Sequence, residues 1–383
     1  MATQSPAHSA QSTSAKRIHP LRIISIIAVI LLLLFCVVSL VVDYLILSQS
    51  FTRSYVPNRS TITRYEDFSD SYAREPLTFM SGENMLQGYL YMSKTGDTST
   101  VKGLIVFCHG IGSWHQDYLA ILLKLVDDGW LVFGYDATGS GESEGATVGS
   151  MSQSALDAHA ALNFIEAQDR FAQMPVFVIG HSWGGYAAAA VLNFNHNIQG
   201  VVSLSGYSEP MGIIMEQAVS SMGSLVQVEY PFIWCANRFI AGDKCDLSAV
   251  AGINSCTTPV LVVHAAHDKV ISATGAAIYA QQNRITNPNV SYYLFTDEGR
   301  DGHNSYFISE SAHAYIVQKQ EELYALCDEY DPDRDGVASD PAKQAEYDTL
   351  LDEFYAGINK SQANVPNPEL ISLLCDFLNS NLS

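Results

Sequence analysis

Apolar residues along this chain fall into one unbroken block and a series of short alternating runs. The block extends from Ile23 to Val42 and is interrupted only by Ser25 and Ser39. Its length suits the hydrocarbon core of a bilayer and exceeds that of a secretory h-region. Further on, short runs rich in β-branched and aromatic residues begin near residues 104, 130, 175, 200, 259 and 290. Stretches with helical spacing lie between them, near 115, 153, 185, 273 and 306. Strands alternating with helices predict an α/β fold, a mostly parallel sheet covered by helices on both faces. Residues 78 to 92, with Gly82-Glu83-Asn84 at the turn, read as an opening hairpin. The stretch Pro368 to Leu382 carries Leu370, Ile371, Leu374, Phe377 and Leu378 at helical spacing and reads as a closing helix.

The most telling junction is at Val176-Phe177-Val178-Ile179-Gly180-His181-Ser182-Trp183-Gly184-Gly185, which runs on into an alanine-rich helix. A buried strand, a G-x-S-x-G turn and a small-residue helix together form a nucleophile elbow. A Cβ at Gly180 or Gly184 would crowd the strand against the helix. The turn lifts the Ser182 hydroxyl to the top of the sheet, beside the positive end of a helix. A serine nucleophile needs a base, an acid to orient that base, and donors for an oxyanion. Asp268 follows the strand Pro259 to His264, and strand carboxyl ends are where sites form in open α/β sheets. His303 sits on a glycine-rich loop after the strand Val290 to Phe295 and is the candidate base. His109-Gly110-Ile111-Gly112 follows the strand at 104, so the backbone N–H groups of Ile111 and Trp183 are the candidate oxyanion donors. Among the rivals, His181 reads as a wall of the site and His109 as structural. Asp136 and Glu142 read as loop braces, and Asp297 and Asp301 sit on the loop of the base itself.

These residues resemble the α/β-hydrolase superfamily, and more narrowly its serine aminopeptidase and monoacylglycerol-lipase-like branch. The resemblance is carried by His109-Gly110, Asp136 to Gly145, Gly180 to Gly185, His264 to Val270 and Gly302-His303, and covers about residues 60 to 380. It implies the chain order Ser182, Asp268, His303 and a cap inserted after the sixth strand, here about 207–252. The branch normally carries Arg where Ala137 stands, a departure that leaves the fold unaffected. The implied activity is hydrolysis of carboxylic esters of acyl or other apolar substrates through an acyl-enzyme. A peptidase of the aminopeptidase-like branch, a thioesterase or an acyltransferase are the alternatives within the same chemistry. A catalytically silent surface binding protein is the non-enzyme alternative, although such proteins usually lose the serine or the histidine, and both are present here.

Charge and cysteines narrow the setting. Forty acidic against 20 basic residues give a net charge of −20, which argues against nucleic-acid binding and polyanionic substrates. Lys16, Arg17, His19 and Arg22 precede the apolar block and Asp43 follows it. The positive flank stays cytoplasmic, so the chain reads as a single-pass cell-membrane protein. Residues 1–20 are then a disordered cytoplasmic tail, 21–47 a signal anchor, and 48–383 an extracytoplasmic hydrolase domain with a second helical insertion at about 320–360. The partners expected are that membrane and a small-molecule ester or peptide. No spacing reads as a zinc site, and no cofactor is expected. Of the seven cysteines, Cys235, Cys245 and Cys256 cluster, and an oxidising compartment permits a Cys235–Cys245 bridge. Asp331, Asp333 and Asp335, with Gly336, match the start of an EF-hand calcium loop. The twelfth position is Ala342 rather than the bidentate Glu, so an acidic surface turn is the plainer reading.

Overall fold

The structure is a computed structural model that describes residues 20–95, 101–331 and 340–382. Eight strands form one sheet: β1 (Tyr72–Ser81), β2 (Asn84–Ser93), β3 (Leu104–Cys108), β4 (Leu131–Tyr135), β5 (Val176–His181), β6 (Gly200–Leu204), β7 (Val260–Ala265) and β8 (Val290–Phe295). Their order is β1-β2-β4-β3-β5-β6-β7-β8. β1 and β2 pair antiparallel, as does β2 with β4, and the pairs from β4 through β8 are parallel. The hairpin turns at Gly82-Glu83 as expected but starts earlier, at Tyr72.

The parallel strands are apolar on both faces because both faces are covered. Val106 and Val178 belong to one core, with α3 (Gln153–Glu166) and the alanines of α4 (Trp183–Ala190). Ile105, Phe107, Phe177 and Ile179, one residue out of phase, belong to the other. That second core holds α2 (Leu119–Asp127) and the closing helix α11 (Pro368–Ser380), which is bound through Leu370, Leu374 and Leu378. From β3 the chain crosses one way to β4 and then back to β5 on the other side. This reversal leaves a crevice at the carboxyl ends of β3 and β5, the switch point where open sheets bind ligands.

α1 (Pro20–Ser50) contains the apolar block and is long and apolar enough to cross a membrane. Between β6 and β7 the chain inserts α5 (Pro210–Met222), a 3-10 stretch (Ser224–Glu229), α6 (Tyr230–Ala241) and α7 (Ala249–Asn254). Met211, Val226 and Ile233 form a small core of this insertion's own. Leu225, Tyr230, Trp234 and Phe239 stay exposed. After β8 come α8 (Glu310–Tyr330), α9 (Pro341–Ala356) and α10 (Lys360–Ala363).

Two expectations are corrected. The helix expected near 273 is a turn followed by 3-10 structure at Ile278–Arg284. Its spacing is broken at Gln281, whose φ of −98° and ψ of 18° leave the helical region. The Cys235–Cys245 bridge is not formed: both thiols are free, Cys235 exposed on α6 and Cys245 buried beyond its end, with Arg238 Nη1 3.8 Å from the Cys245 sulfur. The tail through residue 19, and Asp333 and Asp335 of the acidic loop, lie outside the described residues. Asp331 caps the end of α8.

Candidate active site

Ser182 sits between β5 and α4 with φ of 57° and ψ of −115°, a conformation costly for any residue with a Cβ. The packing around it explains the glycines. A Cβ on Gly180 would lie 2.0 Å from the carbonyl oxygen of Gly184, and one on Gly184 would lie 2.0 Å from that of Cys108. The Ser182 N–H donates to Leu204 O at 2.8 Å, which ties the elbow to β6. Trp183 opens α4, so its N–H has no partner further back in the helix. On the facing loop a Cβ on Gly110 would approach Ser182 Cβ to 3.5 Å, so the segment leading to Ile111 passes directly over the serine. Ile111 itself is 39% exposed.

Asp268 and His303 come together from separate loops. His303 Nδ1 donates to Asp268 Oδ2 at 2.7 Å, and Asp268 Oδ1 accepts the N–H groups of Val270 and Ile271, both at 2.8 Å. Burial pushes the Asp268 carboxyl upward. His303 and the two backbone donors outweigh that, and its pKa lies below the usual carboxylate value. With Nδ1 donating, Nε2 is the nitrogen left to accept a proton, and none of the described residues takes it. Ser182 Oγ forms no hydrogen bond among the described residues.

The rival groups are engaged elsewhere. His109 accepts the Ala137 N–H on Nε2 and turns Nδ1 to Gly110 O, a structural brace. Asp136 accepts from His115 Nδ1 at 2.6 Å and from the N–H groups of His115 and Glu142. His267 pairs with Asp301, and Asp297 with Arg300. His264 donates to Ile271 O at 2.9 Å. Glu142 accepts from the Tyr89 hydroxyl.

One residue escaped the sequence reading. Tyr118 accepts the Gly110 N–H at 3.2 Å and donates to His181 Nδ1 at 2.9 Å. His181 in turn donates from Nε2 to the carbonyl of His303 at 3.1 Å. Burial, then the nearness of His303, holds the His181 pKa well below its usual value, so the ring stays neutral and keeps this tautomer. The chain Gly110–Tyr118–His181–His303 thus links the loop after β3 to the loop that bears His303. A tyrosine in a short turn before a helix carries no sequence signal of such a role.

Comparison with known proteins agrees with this architecture. An esterase from Pyrococcus furiosus superposes with a TM-score of 0.50 at 16% identity, covering 71% of this chain and 96% of its own, and shows the fold. Residues 99–237 match the family model described as serine aminopeptidase, S33. The chain has the fold of the α/β hydrolases and is similar to this serine aminopeptidase family over those residues. Over part of its length it is also similar to monoglyceride lipases. The chain is 36% identical to rat monoglyceride lipase over 101 residues, 25% of this chain and 32% of that one. It is 32% identical to the human enzyme over 101 residues, 26% and 33% of the two chains. The match spans about a third of the length of these relatives.

Proposed function

We propose that this α/β hydrolase cleaves carboxylic esters with apolar acyl groups, using Ser182 as nucleophile, His303 as base and Asp268 as orienting acid. His303 Nε2 removes the Ser182 proton as Oγ attacks the carbonyl carbon. Asp268 keeps the proton on Nδ1 and stabilises the imidazolium. The N–H groups of Ile111 and Trp183 receive the oxyanion, each worth about 3 kcal/mol in the transition state. His303 then protonates the leaving alcohol, and water repeats the sequence on the acyl-enzyme.

The observation that carries this reading is the left-handed elbow serine at the switch point, together with the His303–Asp268 pair, whose His303 carbonyl accepts from His181, the residue next to Ser182. The monoglyceride lipase relatives favour an ester substrate. The serine aminopeptidase model raises a peptidase as second reading. The two carboxylates that line a cavity of about 680 Å³ beside the insertion are both engaged. There Glu209 is paired with Arg284 at 2.7 Å, and Glu216 accepts the N–H groups of Ser272 and Ala276, both at 2.7 Å.

The proposal places α1 across the cell membrane as a signal anchor, with the catalytic domain outside, in keeping with Arg22 and the other basic residues on its N-terminal flank. Protease shaving of intact cells should release the domain; a protected domain overturns this orientation. For the chemistry, a fluorophosphonate probe should label the protein at Ser182. Turnover should favour p-nitrophenyl esters over aminoacyl anilides. No labelling, or faster anilide cleavage, overturns the ester assignment.

A further inference from the structure

α1 does not hang from the domain on a loose tether. Leu47 and Phe51 are buried in the core beside the sheet. The Ser54 N–H donates to Gly139 O at 2.8 Å, and the Val148 N–H to Phe51 O at 3.1 Å. The Arg53 guanidinium donates to the carbonyls of Gly145 and Gly141. The inclination of α1 relative to the sheet is therefore set by the same loops that bear Asp136 and Gly139.

Further up, α1 lies along α6 of the insertion. Phe35 meets Phe232 edge to face at 5.8 Å between ring centroids, and Tyr44 meets Phe239 at 5.5 Å. The covered seam of α1 is narrow: Ser39 and Leu47 are buried, Cys36 and Asp43 half-buried. These four recur every three or four residues and so share one face. Phe35 precedes Val42, the last residue of the apolar block, by two helical turns, about 10 Å. Phe232 on the insertion is thus level with a residue well inside that block.

The insertion beside it is apolar where it is uncovered. Leu225 is 83% exposed, Val228 68% and Phe239 79%, with Met222 and Trp234 also exposed. From Met222 to Phe239 the charged side chains are Glu229 and Arg238, the latter paired with Asp243, in a chain of net charge −20. Such a patch marks an interaction surface. It is continuous with the exposed apolar surface of α1, and its depth of about 10 Å is that of a helix lying in the headgroup and acyl boundary.

We propose that the Met222–Phe239 face of the insertion is seated in the same bilayer that α1 crosses, so that the domain stands on the membrane rather than above it. The proposal rests on the reading of α1 as a spanning helix. Its occupant is lipid, and the rigid attachment of α1 fixes the depth.

The test uses the full-length protein reconstituted in phosphatidylcholine vesicles. Trp234 is the exposed member of the four tryptophans; Trp114, Trp130 and Trp183 are buried. Phosphatidylcholine brominated high on its acyl chains should quench part of the tryptophan emission, and Trp234→Phe should abolish that quenching. The triple variant Leu225→Gln, Val228→Gln, Phe239→Gln should lose it too, while cleaving a water-soluble short-chain ester within about twofold of the parent, as distant surface changes do. Equal quenching in the parent and Trp234→Phe, or undiminished quenching in the triple variant, overturns the proposal. So does a dimer in detergent that the triple variant alone loses, with no quenching in vesicles, which would make a second copy the occupant. Flotation keeps the underlying reading separate. A parent that leaves the vesicles in alkaline carbonate refutes the spanning helix itself, whereas one that floats but is not quenched refutes only the seated face.

Discussion

Two histidine–carboxylate pairs in this molecule look alike until their far sides are compared. His303 Nδ1 lies 2.7 Å from Asp268, and His115 Nδ1 lies 2.6 Å from Asp136. Both carboxyls have pKa values below the usual one, despite burial that pushes each the other way. The difference is at Nε2. That of His115 is taken by the Tyr91 hydroxyl at 2.8 Å, and both side chains of the pair are fully buried. That of His303 is taken by none of the described residues, and its side chain is 10% exposed. A carboxylate that orients an imidazole is therefore common to a brace and a proposed catalytic pair. What distinguishes them is a ring nitrogen with no partner among the described residues.

The sharpest way to break this comparison is to remove the serine that gives one pair its meaning. Ser182→Ala should lower kcat for p-nitrophenyl esters by about 10⁶-fold, as loss of a triad nucleophile does, with an unchanged circular dichroism spectrum. Retained turnover would transfer the chemistry to another group. The two carboxylates should then separate. Asp268→Asn should cut kcat by about 10⁴-fold by disturbing the His303 tautomer. Asp136→Asn should leave kcat within about tenfold but destabilise the fold by about 3 kcal/mol, because buried donors lose their acceptor. Urea unfolding and steady-state kinetics on both variants check the contrast, and similar kinetic losses in the two would erase it.

A smaller effect tests the positioning chain. Tyr118→Phe removes the hydroxyl joining Gly110 to His181, worth about 1 kcal/mol, and should lower kcat several-fold while KM and melting temperature stay near the parent values. The smallest concerns acid stability, where the two pairs should behave alike. Each carboxylate has a folded pKa below its unfolded value of about 3.9. The stability each contributes is present above that value and is lost as pH falls through the depressed folded pKa. Melting temperature measured from pH 6 to pH 2 should fall in the parent and fall less steeply in Asp268→Asn and Asp136→Asn. An equal slope in all three would mean that neither carboxylate is depressed.

How legible the site was depended on how local its signals are. The elbow is a contiguous motif, because the steric demands on Gly180 and Gly184 act between neighbours in sequence and can be read from it. Asp268 and His303 were recognisable only as polar residues after apolar strands. Their pairing spans 35 residues and needs β7 and β8 to lie side by side. The expected helix near 273 failed because apolar spacing does not report where backbone geometry breaks, as it does at Gln281. The Cys235–Cys245 bridge failed because proximity in sequence does not report burial: Cys235 is exposed and Cys245 buried.

The sequence alone determined the alternation of strands and helices, the covered parallel sheet, the elbow with Ser182, and the apolar helix that opens the chain. All of these rest on periodicity or on contacts between near neighbours. Only the tertiary structure decided which histidine–carboxylate pair has an open nitrogen and how Tyr118 and His181 reach His303. It also decided where the insertion lies, because the packing of α6 along α1 joins segments about two hundred residues apart. Such contacts depend on how apolar faces of the whole chain are shared out, and no local pattern records that.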